Sequence, residues 1–209
     1  MIFKFAGWWC GWVTLMDILI VLGLTAWFSY RYFVLFDTQV TSENGVVENV
    51  QALYLGGASL IFFFSAARPG HLSRLVLFWA GLFSHGFFLR EVDLRGLDLP
   101  AEFIRLWTGS LRYLPLVLAL LWAVWATARH WHFILGVLPA YLNSRTGVWF
   151  LLGMALYVVG DGLEKWDALG DRQFYEEIAE LFGGAMILLA ALSSLPGLCR
   201  QPRVHPAQA

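Results

Sequence analysis

The residues that could do chemistry lie where one apolar stretch of the sequence ends and the next begins. The first stretch ends in Gly-Asp-Gly-Leu-Glu-Lys at 160–165, and the second begins in Tyr-Glu-Glu-Ile-Ala-Glu-Leu-Phe-Gly-Gly at 175–184. On a helix, Glu177, Glu180 and Gly184 share one face because residues three and four positions apart lie above one another. Neighbouring carboxylates can act as an acid and a base, or they can supply oxygen ligands to a hard cation. The pattern therefore predicts an acidic site between helices.

Acidic residues at the ends of further apolar stretches predict that several helices share this site. Glu48 and Gln51 fall on one helical face, and Tyr157, Asp161 and Glu164 fall on another. The candidate metal ligands are Glu48, Glu91, Asp93, Asp161, Glu164, Glu177 and Glu180. The candidate catalytic residues are Glu177, Glu180, Asp161 and His85, and the expected internal counter-ions are Arg90 and Lys165. Carboxylates suit a hard divalent cation better than zinc, so such a cation is the expected cofactor if a metal is bound.

The same carboxylates also have an ordinary interpretation as the solvated ends of helices. Negative charge near a helix N-terminus complements the helix dipole, which would account for Glu48, Glu176 and Glu177 without any ligand. A charged residue at the centre of a membrane helix costs about 3 kcal/mol, and less near its end, so a carboxylate within an apolar stretch needs a partner or a proton. The stronger site candidates are therefore those inside or against the apolar stretches: Glu180, Asp161 and Glu91.

Histidine is scarce in the apolar stretches, and this limits the metal chemistry that the sequence can support. His85 is the one histidine that lies within a predicted span. It follows Ser84, but adjacent helix residues do not face each other, so the two do not form a nucleophile and its base. No histidine follows a glutamate by three positions, which is the spacing of a carboxylate-bridged di-iron bundle. A di-iron enzyme is therefore disfavoured.

The composition places the chain in a membrane. Hydrophobic residues make up 59%, aromatic residues 17% and charged residues only 14% of the sequence, which is too apolar for a soluble domain of this length. A membrane-spanning helix needs about 20 mostly apolar residues. Six stretches meet this need, at roughly 11–34, 48–67, 72–91, 112–129, 147–164 and 177–196. The predicted fold is therefore an all-α polytopic integral membrane protein, a bundle of six transmembrane helices.

The loops between these spans are short, so residues 1–209 are expected to form a single membrane domain. An even number of spans places both termini on the same side of the membrane. The positive-inside rule counts Lys and Arg, and these counts are equal on the two sides. Basic residues on the side of the termini lie near the span ends without neighbouring carboxylates, and this favours cytoplasmic termini. The expected location is the bacterial inner (plasma) membrane, with the acidic face outside. Cys10 and Cys199 form no disulfide or zinc pattern.

Three classes of function remain compatible with the sequence. The leading hypothesis is a binding or transport protein whose outward-facing acidic pocket holds a cation or a cationic group. The second is a membrane-embedded enzyme, dependent on a metal or on carboxylates, that acts on a lipid or lipid-linked substrate at the outer leaflet. The third is a non-catalytic accessory subunit of a membrane complex. The expected partners are the lipid bilayer and a membrane protein, and no motif indicates nucleic acid.

Overall fold

A computed structural model describes residues 2–42, 45–68, 74–92, 102, 110–166 and 168–195, and helices form nearly all of this part of the chain. The α-helices with defined bounds are α1 (Ile2–Ser29), α2 (Val46–Ala67), α3 (Arg74–Glu91), α4 (Leu114–Arg129), α5 (Trp131–Leu142), α6 (Arg145–Glu164) and α7 (Arg172–Ser194). A π-helix, Tyr30–Val34, continues α1, and short 3-10 helices, Thr38–Thr41 and Ser110–Tyr113, precede α2 and α4. The described residues contain no strand, so the predicted all-α class is confirmed for them.

Helical segments in the described ranges include five that are long and apolar enough to cross a membrane. These segments are Gly11–Val34, Thr38–Ala67, Leu111–Arg129, Arg145–Glu164 and Arg172–Ser194. Helix α3, Arg74–Glu91, lies within the predicted third span, but it is not among the five. Arg74, Arg90 and Glu91 all fall within its 18 residues, and such charges are costly against lipid. The number of spans and the side of the termini therefore stay predictions.

Four helices build the core of the bundle. α6 packs along α7, α2 packs along both α3 and α7, and one apolar cluster joins all four. Leu55, Phe62, Leu77 and Ile187 are fully buried in that cluster. Since α2 and α7 begin where α3 and α6 end, their charged termini meet at one end of the bundle, here called the acidic end.

The remaining long helices cover the outside of this core. α1 packs on α7, α4 packs on α3, and α5 connects α4 to α6 and contacts both. The buried residues of α4 are Ala123 and Ala126, and large apolar side chains cover most of the rest of its surface. A helix that is apolar on its exposed face is suited to lipid rather than to water. This surface agrees with the membrane location inferred from composition.

Glycines set the distance between α6 and α7. A Cβ added at Gly153 would lie 2.6 Å from Ile187 Cγ1 and 2.8 Å from the main-chain oxygen of Gly183. A Cβ added at Gly183 would lie 2.8 Å from the ring of Tyr157. Both positions therefore require a residue without a side chain, as in other closely packed membrane helices.

We expect Gly153→Ala to lower the free energy of unfolding by about 1–3 kcal/mol, because the added methyl group overlaps main-chain atoms of α7. For a chain of this size, each 1 kcal/mol lowers Tm by about 2–4 °C. Thermal unfolding in detergent, followed by tryptophan fluorescence, measures the change. The matched control is Gly162→Ala in the same helix, because nothing lies within 4 Å of the added atom. Equal melting temperatures for the two variants would contradict the close helix contact.

Candidate functional site

Arg90, in the last turn of α3, holds two buried carboxylates at the acidic end. Its Nε donates to Glu91 Oε1 at 2.8 Å, and its Nη2 donates to Glu180 Oε1 at 2.6 Å. The side chains of Glu91 and Glu180 are 7% and 5% exposed, whereas that of Arg90 is 50% exposed. The guanidinium therefore closes the acidic end from the solvent side and joins α3 to α7.

The amide of Gln51 connects α2 to the start of α7. Its Nε2 donates to the main-chain oxygen of Glu177 at 2.8 Å and to Glu177 Oε2 at 3.0 Å. A main-chain oxygen can only accept, so the amide nitrogen must face α7 and Oε1 must face away from that oxygen. Gln51 is fully buried, and its Oε1 has no hydrogen-bond partner in the described part of the chain.

Tyr157 of α6 lies beside the ion pairs that Arg90 forms. Its ring stacks on that of Phe87, with 4.6 Å between centroids, and Arg90 Cζ lies 5.7 Å from the centroid of the Tyr157 ring. A guanidinium at this distance from an aromatic face makes a favourable cation–π contact. Tyr157 is 3% exposed, and its hydroxyl also has no hydrogen-bond partner among the described residues.

These side chains form one group, which is called the Arg90 cluster. Its members are Gln51, Arg90, Glu91, Tyr157, Glu177 and Glu180. The carboxylates repel each other, because Glu180 acts on both Glu91 and Glu177. Glu48 adds to the negative charge around Glu91, and Glu176 adds to that around Glu177. The candidate ligands Glu48, Glu91, Glu177 and Glu180 are therefore brought to one place by α2, α3 and α7.

Asp161 and Glu164 lie at the rim of this cluster rather than inside it. Both side chains are exposed, although their charges still act on Glu180. Gly160 is the residue of α6 that faces the cluster, since its Cβ would lie 2.9 Å from Glu180 Cγ. Helix α6 thus presents Tyr157 and Gly160 to α7, and Asp161, the residue after Gly160, points about 100° away from Gly160 and lies at the surface.

The other predicted counter-ion, Lys165, pairs with Asp161 at the surface. Lys165 Nζ lies 2.6 Å from Asp161 Oδ2, and both side chains are exposed. The hydrogen bond to Asp161, and then its charge, raise the pKa of Lys165 above its ordinary value. An exposed pair one helical turn apart contributes little to stability. Asp93 lies outside the described residues.

His85 faces α2 instead of the carboxylates. Its Nδ1 lies 3.4 Å from Ser59 Oγ, and its ring packs against Phe63 and Phe88. The neighbouring Ser84 donates instead to the main-chain oxygen of Ala80 at 2.8 Å, in agreement with the expectation that adjacent helix residues point apart. No described contact joins His85 to the Arg90 cluster, and its catalytic role stays a prediction.

The metal prediction concerns the same carboxylates. Within the ranges that the structure describes, no group of three or more His, Cys, Asp or Glu side chains is arranged to hold a metal ion. Arg90 lies between Glu91 and Glu180, in the position that a divalent cation bridging them would take. A cation in the cluster therefore has to bind beside the guanidinium or displace it.

We expect Arg90→Gln to lower the free energy of unfolding by up to about 3 kcal/mol, because it leaves Glu91 and Glu180 buried without a cation. The double variant Arg90→Gln/Glu180→Gln should recover part of this loss, since one of the two unpaired charges is then removed. Thermal unfolding in detergent is measured for the wild type, the single variant and the double variant. Lys165→Gln is the control, because its exposed ion pair should leave Tm unchanged. A loss as large in Lys165→Gln as in Arg90→Gln would contradict a special role for Arg90.

Comparison with other proteins adds no family to this description. No model of a protein family, no curated protein and no solved structure matches the sequence. A fold alone would not establish a function in any case, because function resides in the side chains of a site. The function of this chain has to be inferred from the Arg90 cluster and from the apolar helices around it.

Proposed function

We propose that this chain is a polytopic membrane protein of six spans that binds a cation or a cationic group in an acidic pocket at its outer face. The acidic end of the bundle is that face in this proposal, and both termini lie in the cytoplasm of a bacterial cell. Helix α3 supplies the sixth span, and Arg90 and Glu91 are tolerated at its end because they pair with each other and because Arg90 also pairs with Glu180. The bilayer and a further membrane protein are its partners.

The observation that supports cation binding is the excess of carboxylates over guanidinium in the Arg90 cluster. Three carboxylates, those of Glu91, Glu177 and Glu180, accompany the single guanidinium of Arg90. Negative charge in a site with low-dielectric walls attracts cations more strongly than the same charge in water. The cluster therefore offers a positive ligand a favourable electrostatic environment.

A purely structural role for the acids explains less of the arrangement. An ion pair that only joined α3 to α7 would need one carboxylate for the guanidinium. Here Glu91 is a second partner of the same group, and Glu177 is placed beside them by the buried amide of Gln51. Burying additional carboxylates costs free energy, so a site that uses their charge is the better explanation.

The number of spans gives a direct test of the topology. With six spans, reporter proteins fused to the two termini report the same side of the membrane, and we expect both in the cytoplasm. With only the five most apolar segments crossing, the two reporters would lie on opposite sides. A pair of fusions, one with a reporter active in the cytoplasm and one with a reporter active outside it, distinguishes the two arrangements.

For the binding function, we expect Glu180→Gln to abolish cation binding while the protein stays folded. The amide keeps the shape of the side chain but removes the charge that faces Arg90. The measurement is calorimetric titration of the detergent-purified protein with metal chlorides and organic ammonium salts, together with its metal content by mass spectrometry. Circular dichroism and size-exclusion chromatography check the fold.

The matched control is Asp171→Asn, which removes a carboxylate from the exposed loop before α7. Asp171 adopts φ 55°, a left-handed conformation that asparagine also accepts, so the variant should fold and bind as the wild type does. If Glu180→Gln and Asp171→Asn bind cations equally well, the acidic pocket is not the binding site. The accessory-subunit hypothesis would be favoured by two results together. The wild type would bind no cation, and Glu180→Gln would no longer assemble with a partner protein.

A further inference from the structure

Asp17 is a carboxyl group buried in the first half of the apolar segment Gly11–Val34, away from the Arg90 cluster. It is 8% exposed, and its Oδ2 has no hydrogen-bond partner in the described part of the chain. Phe28, about three turns further along α1, belongs to the same buried apolar cluster as Leu181, the residue after Glu180. Asp17 therefore lies about 16 Å along α1 from the level of Glu180.

Asp17 differs in kind from the other buried side-chain atoms that lack a partner in the described ranges. Those atoms are the hydroxyl oxygens of Thr25, Tyr141 and Tyr157, the amide oxygen of Gln51 and the Nε of Arg112. Arg112 donates through its other nitrogens, and the remaining four groups are neutral. A buried ionised carboxylate without a partner is far more costly than a neutral polar group, and such a group takes up a proton instead.

The two helices beside Asp17 supply no cation at its level. Helix α7, on which α1 packs, has no titratable residue between Glu180 and its end at Ser194. Helix α2 contributes Tyr54, on which the charge of an ionised Asp17 acts, and Glu48, which lies in the first turn at the acidic end. A tyrosine hydroxyl can form a hydrogen bond with a carboxyl but cannot neutralise a carboxylate.

The guanidinium groups nearest to Asp17 along α1 have other partners. Arg145, the first residue of α6, donates from Nη2 to Thr14 Oγ1 at 2.7 Å, about one turn before Asp17. Arg31 lies in the π-helix at the far end of α1 and pairs with Asp37. Among the described salt bridges none includes Asp17.

Helix α1 covers the bundle with a narrow inner face. Between residues 11 and 29 the buried side chains are those of Asp17, Val21 and Phe28, whereas Met16 and Leu19 beside them are exposed. Asp17 thus faces the protein interior and not the lipid. Since few side chains hold α1 in place, a small movement of α1 away from α7 would bring water to the carboxyl.

We infer that Asp17 is a proton-binding site within the membrane, protonated at neutral pH while α1 is packed on α7 and ionised once its carboxyl meets water. A carboxylate oxygen gains the proton from water and returns it to water, and no other bond changes. Thr14 and Arg145 provide polar groups between Asp17 and the end of the bundle opposite the acidic end. The inference goes beyond the proposed function, because it concerns a separate site.

Infrared spectroscopy of the full chain in lipid vesicles tests this inference, because the carbonyl stretch of a protonated carboxyl is distinct from the stretches of a carboxylate. We expect the difference spectrum between the wild type and Asp17→Asn at pH 7 to contain the band of a protonated carboxyl. The asparagine amide has nearly the shape of the protonated acid, so the variant should fold. The matched control is Asp171→Asn, which removes an exposed aspartate and should give carboxylate bands instead.

The pH dependence of Tm in detergent is the second measurement. An unfolded chain releases the proton of Asp17 above about pH 4, the ordinary range of aspartate, whereas the folded protein keeps it. Because the folded state then binds more protons, its stability falls as the pH rises. Relative to Asp17→Asn, the wild type should lose about 3–5 °C of Tm per pH unit until the folded protein also releases the proton.

Either of two results would overturn the inference. If the difference spectrum of Asp17→Asn shows carboxylate bands at pH 7, as that of Asp171→Asn should, Asp17 is ionised and holds no proton. If the wild type and Asp17→Asn change in Tm equally with pH, folding is not linked to a proton on Asp17. Should Asp17→Asn fail to fold, Asp17→Leu, which keeps the segment apolar, takes its place in both measurements.

Discussion

The two hydrogen bonds from Arg90 to Glu91 and Glu180 are the interaction on which the acidic end of the bundle depends. A guanidinium carries five donors in a planar fork, so a single residue can bind carboxylates on two helices at once. Lysine could supply the charge but not this fixed geometry. Without Arg90, two carboxylates that are less than a tenth exposed would lie unpaired at the ends of apolar helices. Helix α3 carries three charged residues, and two of them, Arg90 and Glu91, take part in these hydrogen bonds.

The close packing of α6 on α7 explains why the cluster has a defined shape. Gly153 and Gly183 let the two backbones meet, and this contact fixes which face of α6 turns towards Glu180. The side chain of Tyr157 then fills the space between Phe87 and Gly184. Residues on rigid, closely packed helices hold their positions better than residues on loops. The geometry of the site is thus a consequence of where glycines occur along α6 and α7.

Hydropathy predicted the positions of the helices well, but the sequence predicted less well which side chains face the interior of the bundle. The stretch 147–164 corresponds to α6, Arg145–Glu164, whereas α7 begins at Arg172, before the predicted 177, because a polar first turn extends beyond the apolar run. Spacing alone could not place Asp161, since residues three and four positions after Tyr157 are both near its face. The glycines of α6 decide between them. Gln51 meets Glu177 and His85 meets Ser59 through helix pairing, which a single sequence does not specify.

Arg90 is half exposed while its two partners are buried, and this asymmetry makes the acidic end sensitive to the surrounding medium. Salt screens charges in contact with solvent over a distance of about 8 Å at physiological ionic strength, and it screens buried charges much less. Dissolved anions therefore compete for the guanidinium but do not reach the carboxylates behind it. The strength of the contact between α3 and α7 therefore depends on ionic strength, whereas the apolar contacts deeper in the bundle do not.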